Sequence, residues 1–94
     1  MNTFHLLLGT PDGTFYDGQA QDLSVRGIAG DLAVRAGHIP FVTIVSPGTV
    51  RILTETGEER FAFCGRGVLS VNAEQTTLLS TEFHWQKTPG QKQA

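Results

Sequence analysis

An all-β domain built of short strands is the fold class predicted by this 94-residue sequence. Apolar residues recur with period two, and eleven glycines interrupt the chain at close intervals. No window of helical length keeps an apolar stripe at three-to-four spacing. Two packed sheets or a flattened barrel follow from these observations, and periodicity alone does not choose between them.

The elements can be taken in order. Phe4, Leu6 and Leu8 alternate with Thr3, His5 and Leu7, a first strand with one face in the core. Thr10-Pro11-Asp12-Gly13 places proline and glycine where a turn wants them. Thr14-Phe15-Tyr16 reads as a short strand, and Asp17-Gly18 as a second turn. Leu23 and Val25 alternate with Asp22, Ser24 and Arg26; after Gly27 and Gly30, Leu32 and Val34 alternate with Ala33 and Arg35. Phe41 to Val45 is apolar and branched nearly throughout, which predicts cover on both faces. After Pro47-Gly48, Val50 and Ile52 lead through Glu55-Thr56-Gly57-Glu58 into Arg60-Phe61-Ala62-Phe63-Cys64, the clearest hairpin. Phe61 and Phe63 are candidates for burial in it. Val68–Val71 and Thr76–Leu79 form the last pair. From His84 the alternation gives way to polar, turn-rich sequence, which predicts a sandwich over 1–83 and a flexible tail over 84–94. Trp85, at the base of that tail, is expected to tuck against the sandwich, with a contact to a partner as the alternative.

Composition excludes several function classes. The formal net charge of -2 and the scatter of Arg26, Arg35, Arg51, Arg60 and Arg66 argue against a nucleic-acid surface. No apolar run is long enough to cross a bilayer, so direct membrane insertion is not expected. Cys64 stands alone in an apolar strand and is predicted to be a buried thiol without a disulfide partner. His5, His38 and His84 lack metal-ligand spacing. The serines lack the strand-to-helix elbow of a hydrolase, and Gly27-Ile28-Ala29-Gly30 lacks the helix and Gly-Lys-Ser/Thr ending of a phosphate loop. The residues therefore predict a non-catalytic binding or scaffolding domain with no cofactor and no metal.

Gly27-Ile28-Ala29-Gly30-Asp31-Leu32-Ala33-Val34-Arg35-Ala36-Gly37-His38-Ile39-Pro40 resembles a signature of the F-type ATP synthase epsilon subunit family, called delta in mitochondria. Phe4-His5-Leu6, Phe15-Tyr16-Asp17-Gly18, Ser46-Pro47-Gly48-Thr49-Val50-Arg51-Ile52 and Gly67-Val68-Leu69-Ser70-Val71 resemble further family segments, in order. Arg66 stands where the family has the first glycine of a pair, and Ser70 where it has a glutamate. The resemblance implies a flattened β-sandwich of about ten short strands. It implies a non-catalytic rotor part that binds the gamma subunit and the c-ring among the other F1 subunits, at the cytoplasmic face of a bacterial plasma membrane. Gly27, Ile28, Ala29, Gly30, Asp31 and His38 are the candidates for the c-ring end, and Arg66 for the gamma side. The family usually continues into two antiparallel helices that regulate hydrolysis. A natural chain of this length is expected to couple rotation without that inhibition and without the ATP site some relatives carry there. A stand-alone sandwich binding a peptide, sugar or other protein is the rival reading.

Overall fold

The computed structural model describes residues 2–86, and these form nine strands without a helix. They are β1 (Phe4–Thr10), β2 (Gly13–Gly27), β3 (Gly30–Arg35), β4 (Phe41–Val45), β5 (Gly48–Thr54), β6 (Glu59–Cys64), β7 (Gly67–Val71), β8 (Thr76–Ser80) and β9 (Phe83–Gln86).

Strand β2 builds both layers. Its first half pairs antiparallel with β1, from Thr10↔Gly13 to Phe4↔Ala20. Its second half pairs with β3 on one edge and β5 on the other. One sheet therefore runs β2-β1-β8-β7-β4, and the other β3-β2-β5-β6-β9. The β1–β8 pair is parallel and the remaining ladders are antiparallel. A register shift between Ala20 and Asp22 marks where β2 passes from one layer to the other.

The inward face of each strand supplies the core. Leu6, Leu8, Leu23, Val34, Ile52, Leu69 and Leu78 are essentially excluded from solvent, as their alternation predicts. Gly30, which closes the β2–β3 turn, and Gly37, in the turn after β3, take positive φ.

One seam between the sheets is hydrogen-bonded, through Gly27↔Val45. The opposite seam is aromatic. Phe15 of β2 stacks on Phe83 at 5.0 Å and on Trp85 at 4.5 Å, while the Arg60 guanidinium lies 4.0 Å from the Trp85 ring centre. Trp85 thus tucks against the sandwich, holding the edge strand β9 onto β6. Trp85→Ala is expected to cost about 2–3 kcal/mol, from the lost stacking, cation–π contact and partial burial. A urea-denaturation midpoint shift measures it.

Four expectations need correction. Asp17-Gly18 is not a turn. Both residues lie inside β2, opposite Leu7 and Leu6, and the Asp17 carboxylate accepts a 2.5 Å hydrogen bond from His5 of β1. Ladder pairing over a long strand outweighs the local turn preference of the dipeptide.

Phe61 and Phe63 point away from the core and are half-buried. Ala62 and Cys64 face inward and are fully buried, so the alternation of β6 sets the two phenylalanines on its other face. The run Phe41–Val45 is not covered on both faces, because Val42 and Ile44 are exposed. Finally, order continues through His84, Trp85 and Gln86 in β9. The rest of the expected tail lies outside the described residues.

Candidate functional site

The β2–β3 hairpin tip holds five of the six candidates for the ring end. Its shape needs glycine at two positions. A Cβ on Gly27 would sit 2.9 Å from both the Gly30 carbonyl oxygen and a Leu32 methyl group. Gly30 has φ +135°, which side-chain-bearing residues rarely adopt. The tip is anchored from β4, since Ile28 N–H donates to the Ile44 carbonyl at 3.2 Å. This leaves the Ile28 side chain 68% exposed on a fixed backbone. Asp31 is exposed beside Arg26, with 3.9 Å between Oδ1 and Nε. So long an ion pair in water contributes little stability and leaves the carboxylate available to a partner.

His38 does not join this group. Its N–H donates to the Arg35 carbonyl at 3.1 Å, at the end of β3 remote from Gly30. Five extended residues separate the two ends by roughly 17 Å. His38 Nδ1 donates to the Ile39 carbonyl at 2.9 Å, and the ring packs 4.9 Å from Phe41. It borders an open cleft of about 470 Å³ that Thr3, Asn72 and Glu74 also line.

Arg66, the gamma-side candidate, lies at the hairpin-tip end. The registers Gly27↔Val45 and Val45↔Gly67 put Gly27 and Gly67 in one row, and Arg66 immediately precedes Gly67. Its carbonyl accepts from Thr81 N–H and Ser80 Oγ, each at 3.2 Å. The side chain is exposed and has no ion-pair partner among the described residues.

Sequence reasoning misses an apolar surface on the first sheet. Ile44, Val68 and Leu79 are paired in register across β4, β7 and β8, and all three are exposed. Val42, 69% exposed, continues the patch along β4. Ile28 joins it through the backbone bond to Ile44. The patch is an apolar row on the outer face of one sheet rather than a scatter of single residues, of the kind that protein contacts use. The signal in the sequence is the nearly all-apolar run from Phe41 to Val45. A core-only reading assigned its second face to the interior.

The outer face of the other sheet has a different character. Asp22, nearly buried, accepts from Arg35 Nε at 3.1 Å and lies 4.0 Å from Arg51, which in turn bonds Glu59 at 2.6 Å. This ribbon links β3, β2, β5 and β6 and satisfies its own charges, apart from Asp22 Oδ1.

No group of three or more His, Cys, Asp or Glu among the described residues is placed to hold a metal. Cys64 is fully enclosed, and its thiol donates to the Gly65 carbonyl at 3.0 Å. Burial raises its pKa, while the Ser80 hydrogen bond acts weakly in the other direction. A thiol with a raised folded pKa contributes its full stability below the ordinary thiol range. That contribution is lost as pH rises through and beyond the range, because the unfolded chain ionises first. Stability should therefore fall on the alkaline side, and Cys64→Ser should flatten that fall. Native protein should also resist thiol-labelling reagents until it unfolds.

Residues 3–86 match the family described as the ATP synthase delta/epsilon chain β-sandwich domain. The chain belongs to this family. Among relatives, an ATP synthase epsilon chain of Clostridium novyi is 29% identical over 92 residues, covering 98% of this chain and 70% of that protein. The fold is also that of a chain in the Euglena gracilis mitochondrial ATP synthase OSCP/F1/c-ring structure. There the TM-score is 0.84 at 21% identity, over 90% of this chain and 54% of that one. A chain of the Tetrahymena thermophila mitochondrial ATP synthase central stalk/c-ring structure superposes with TM-score 0.71 at 16% identity, over 85% of this chain and 64% of that one. The chain thus spans between half and two thirds of these structural neighbours. The delta/epsilon sandwich family accords with the two-layered all-β architecture, which has nine strands among the described residues.

Proposed function

We propose that this chain is a non-catalytic central-stalk subunit of a rotary F-type ATP synthase, binding gamma and the c-ring. The observation that carries the reading is the exposed apolar row Ile44–Val68–Leu79 on the outer face of β4, β7 and β8. A family member with such a surface has a face suited to a permanent partner, and gamma is the stalk component expected to cover it. Arg66, two residues before Val68 in the chain, supplies a rim cation to the same contact.

The hairpin tip, with Ile28 and Asp31 outermost, is assigned to the c-ring loops. His38 lies beyond the far end of β3, too remote to share that contact. Two surfaces meeting at Ile28 suit a part that couples ring rotation to gamma. Torque would pass through hydrogen-bonded sheets, which resist shear between the two contacts. The subunit would bind no cofactor and lie peripheral to the cytoplasmic face of a bacterial plasma membrane, held there by the complex.

Co-expression with gamma and the c subunit from the same genome tests the reading. The chain should co-purify with gamma, and a cysteine placed at Ile28 should cross-link to a c-subunit loop. Recovery of the chain free of gamma, under conditions where gamma itself is folded, would contradict it. The rival, a stand-alone binding module, predicts that outcome.

A further inference from the structure

Strand β3 leaves one edge open. Among the described residues it pairs with β2 alone, without a register shift. Ser46 N–H donates to the Arg26 carbonyl at 2.9 Å and Ile28 N–H to the Ile44 carbonyl at 3.2 Å, so Arg26 and Ile28 turn their backbone groups toward β4. Backbone groups alternate in direction along a strand, so Val25 and Gly27 turn theirs toward β3, where they meet Leu32 and Gly30. Asp31, Ala33 and Arg35 consequently direct their N–H and C=O groups to the free edge. The Arg35 carbonyl is taken by His38 N–H, and the other groups remain open to a further strand.

This edge lacks proline and a bulge, two devices that blunt exposed strands. Its charges are opposite in sign and four residues apart. Asp31, Ala33 and Arg35 lie on the exposed face, while Leu32 is half-buried and Val34 buried on the other. Such a pattern is self-complementary when reversed.

We propose that a second copy of this chain adds to the edge, β3 against β3, antiparallel about a two-fold axis at Ala33. Asp31 of each copy then lies opposite Arg35 of the other, and Leu32 opposite Val34. The Ala33 pair exchanges two main-chain hydrogen bonds. Each Arg35 N–H donates to the Asp31 carbonyl across the axis, making about four in all. The contact is isologous and closes on itself, joining two sheets into one. Arg35 can serve it without releasing Asp22, because only its Nε is engaged there and the guanidinium has further donors. The pairing goes beyond the stalk reading. It belongs to the chain outside the assembly, because it occupies Asp31 at the hairpin tip and covers an edge otherwise open to uncontrolled strand addition.

Sedimentation equilibrium of the whole chain, from micromolar to millimolar concentration, tests this directly. A reversible monomer–dimer equilibrium is expected. Ala33→Pro removes an N–H that no group among the described residues uses, at an edge position that tolerates proline, and should weaken dimerisation about tenfold or more. Asp31→Lys sets like charges opposite each other twice and should weaken it about tenfold. Mixing Asp31→Lys with Arg35→Glu chains should restore a mixed dimer. Gamma binding by Ala33→Pro should be unchanged, which separates this pairing from the stalk reading. A monomer at every concentration would overturn the proposal. So would a dimer that both Ala33→Pro and Asp31→Lys leave intact, and one lost instead on Ile44→Asp would identify the apolar row as its interface.

Discussion

Leu78→Ala is expected to lower the free energy of unfolding by about 3–5 kcal/mol, the range for deleting a leucine side chain from a core that cannot collapse. Leu78 lies on β8 between Leu8 of β1 and Leu69 of β7, its register partners on either side. All three are fully buried. Hydrogen-bonded strands flank the site on both edges, so the backbone cannot move in to fill the space. For a small domain with a total stability of about 5–15 kcal/mol, the loss is a large fraction. Urea denaturation followed by Trp85 fluorescence should show a lower midpoint with an unchanged slope. A shift worth less than about 1 kcal/mol would mean that β8 does not sit in the core.

Gly67→Ala is expected to cost about 3 kcal/mol or more, at the upper end of overpacking effects. A Cβ on Gly67 would lie 2.3 Å from the Leu79 carbonyl oxygen and 3.1 Å from both the Leu79 carbonyl carbon and Ser80 Cα. These are backbone atoms and cannot rotate away. Gly67 is paired with Val45 on one side and Ser80 on the other, so relief requires separating β7 from β8. Gly65→Ala is the control. Its added carbon would meet Thr81 Oγ1 at 2.6 Å and Glu82 Cγ at 3.0 Å, side-chain atoms able to turn aside. Thermal unfolding of the two variants should separate them clearly, and equal, small losses would refute the packing at Gly67. The same geometry explains how Arg66 is tolerated next to Gly67: its side chain points to solvent, and only the second position of the pair is closed by backbone.

Period-two alternation made the strands that face one core legible. Leu6 and Leu8, Leu23 and Val25, Val50 and Ile52 all point inward as read. What failed was information that lies outside a local window. Asp17-Gly18 turns in isolation, but within a fifteen-residue strand paired along β1 it stays extended. In β6 the larger Phe61 and Phe63 suggest the core, yet the strand turns Ala62 and Cys64 inward, because side-chain size does not fix which face a strand buries. Phe83 and Trp85 do alternate with His84, a short strand signal masked by the polar residues after it.

The candidate site was legible only in part. The glycine-bounded tip emerged from the sequence because Gly27 and Gly30 are needed by its backbone. His38 is close to Asp31 in sequence, but an intervening extended strand carries it to the other end. The apolar row on β4, β7 and β8 was hidden because hydrophobicity does not say whether a side chain is covered by its own chain or by another. Three strands must first be placed side by side before Ile44, Val68 and Leu79 become one surface.

Equilibrium binding of purified gamma subunit tests most directly whether that surface is the stalk contact. The titration compares this chain with the double variant Ile44→Asp/Val68→Asp, whose substitutions lie on the exposed face and should leave the circular dichroism spectrum unchanged. Gamma should bind this chain saturably and the double variant about a hundredfold more weakly, as expected when central apolar anchors are replaced by charges. Equal affinity for both, or no binding to either, would contradict the assignment.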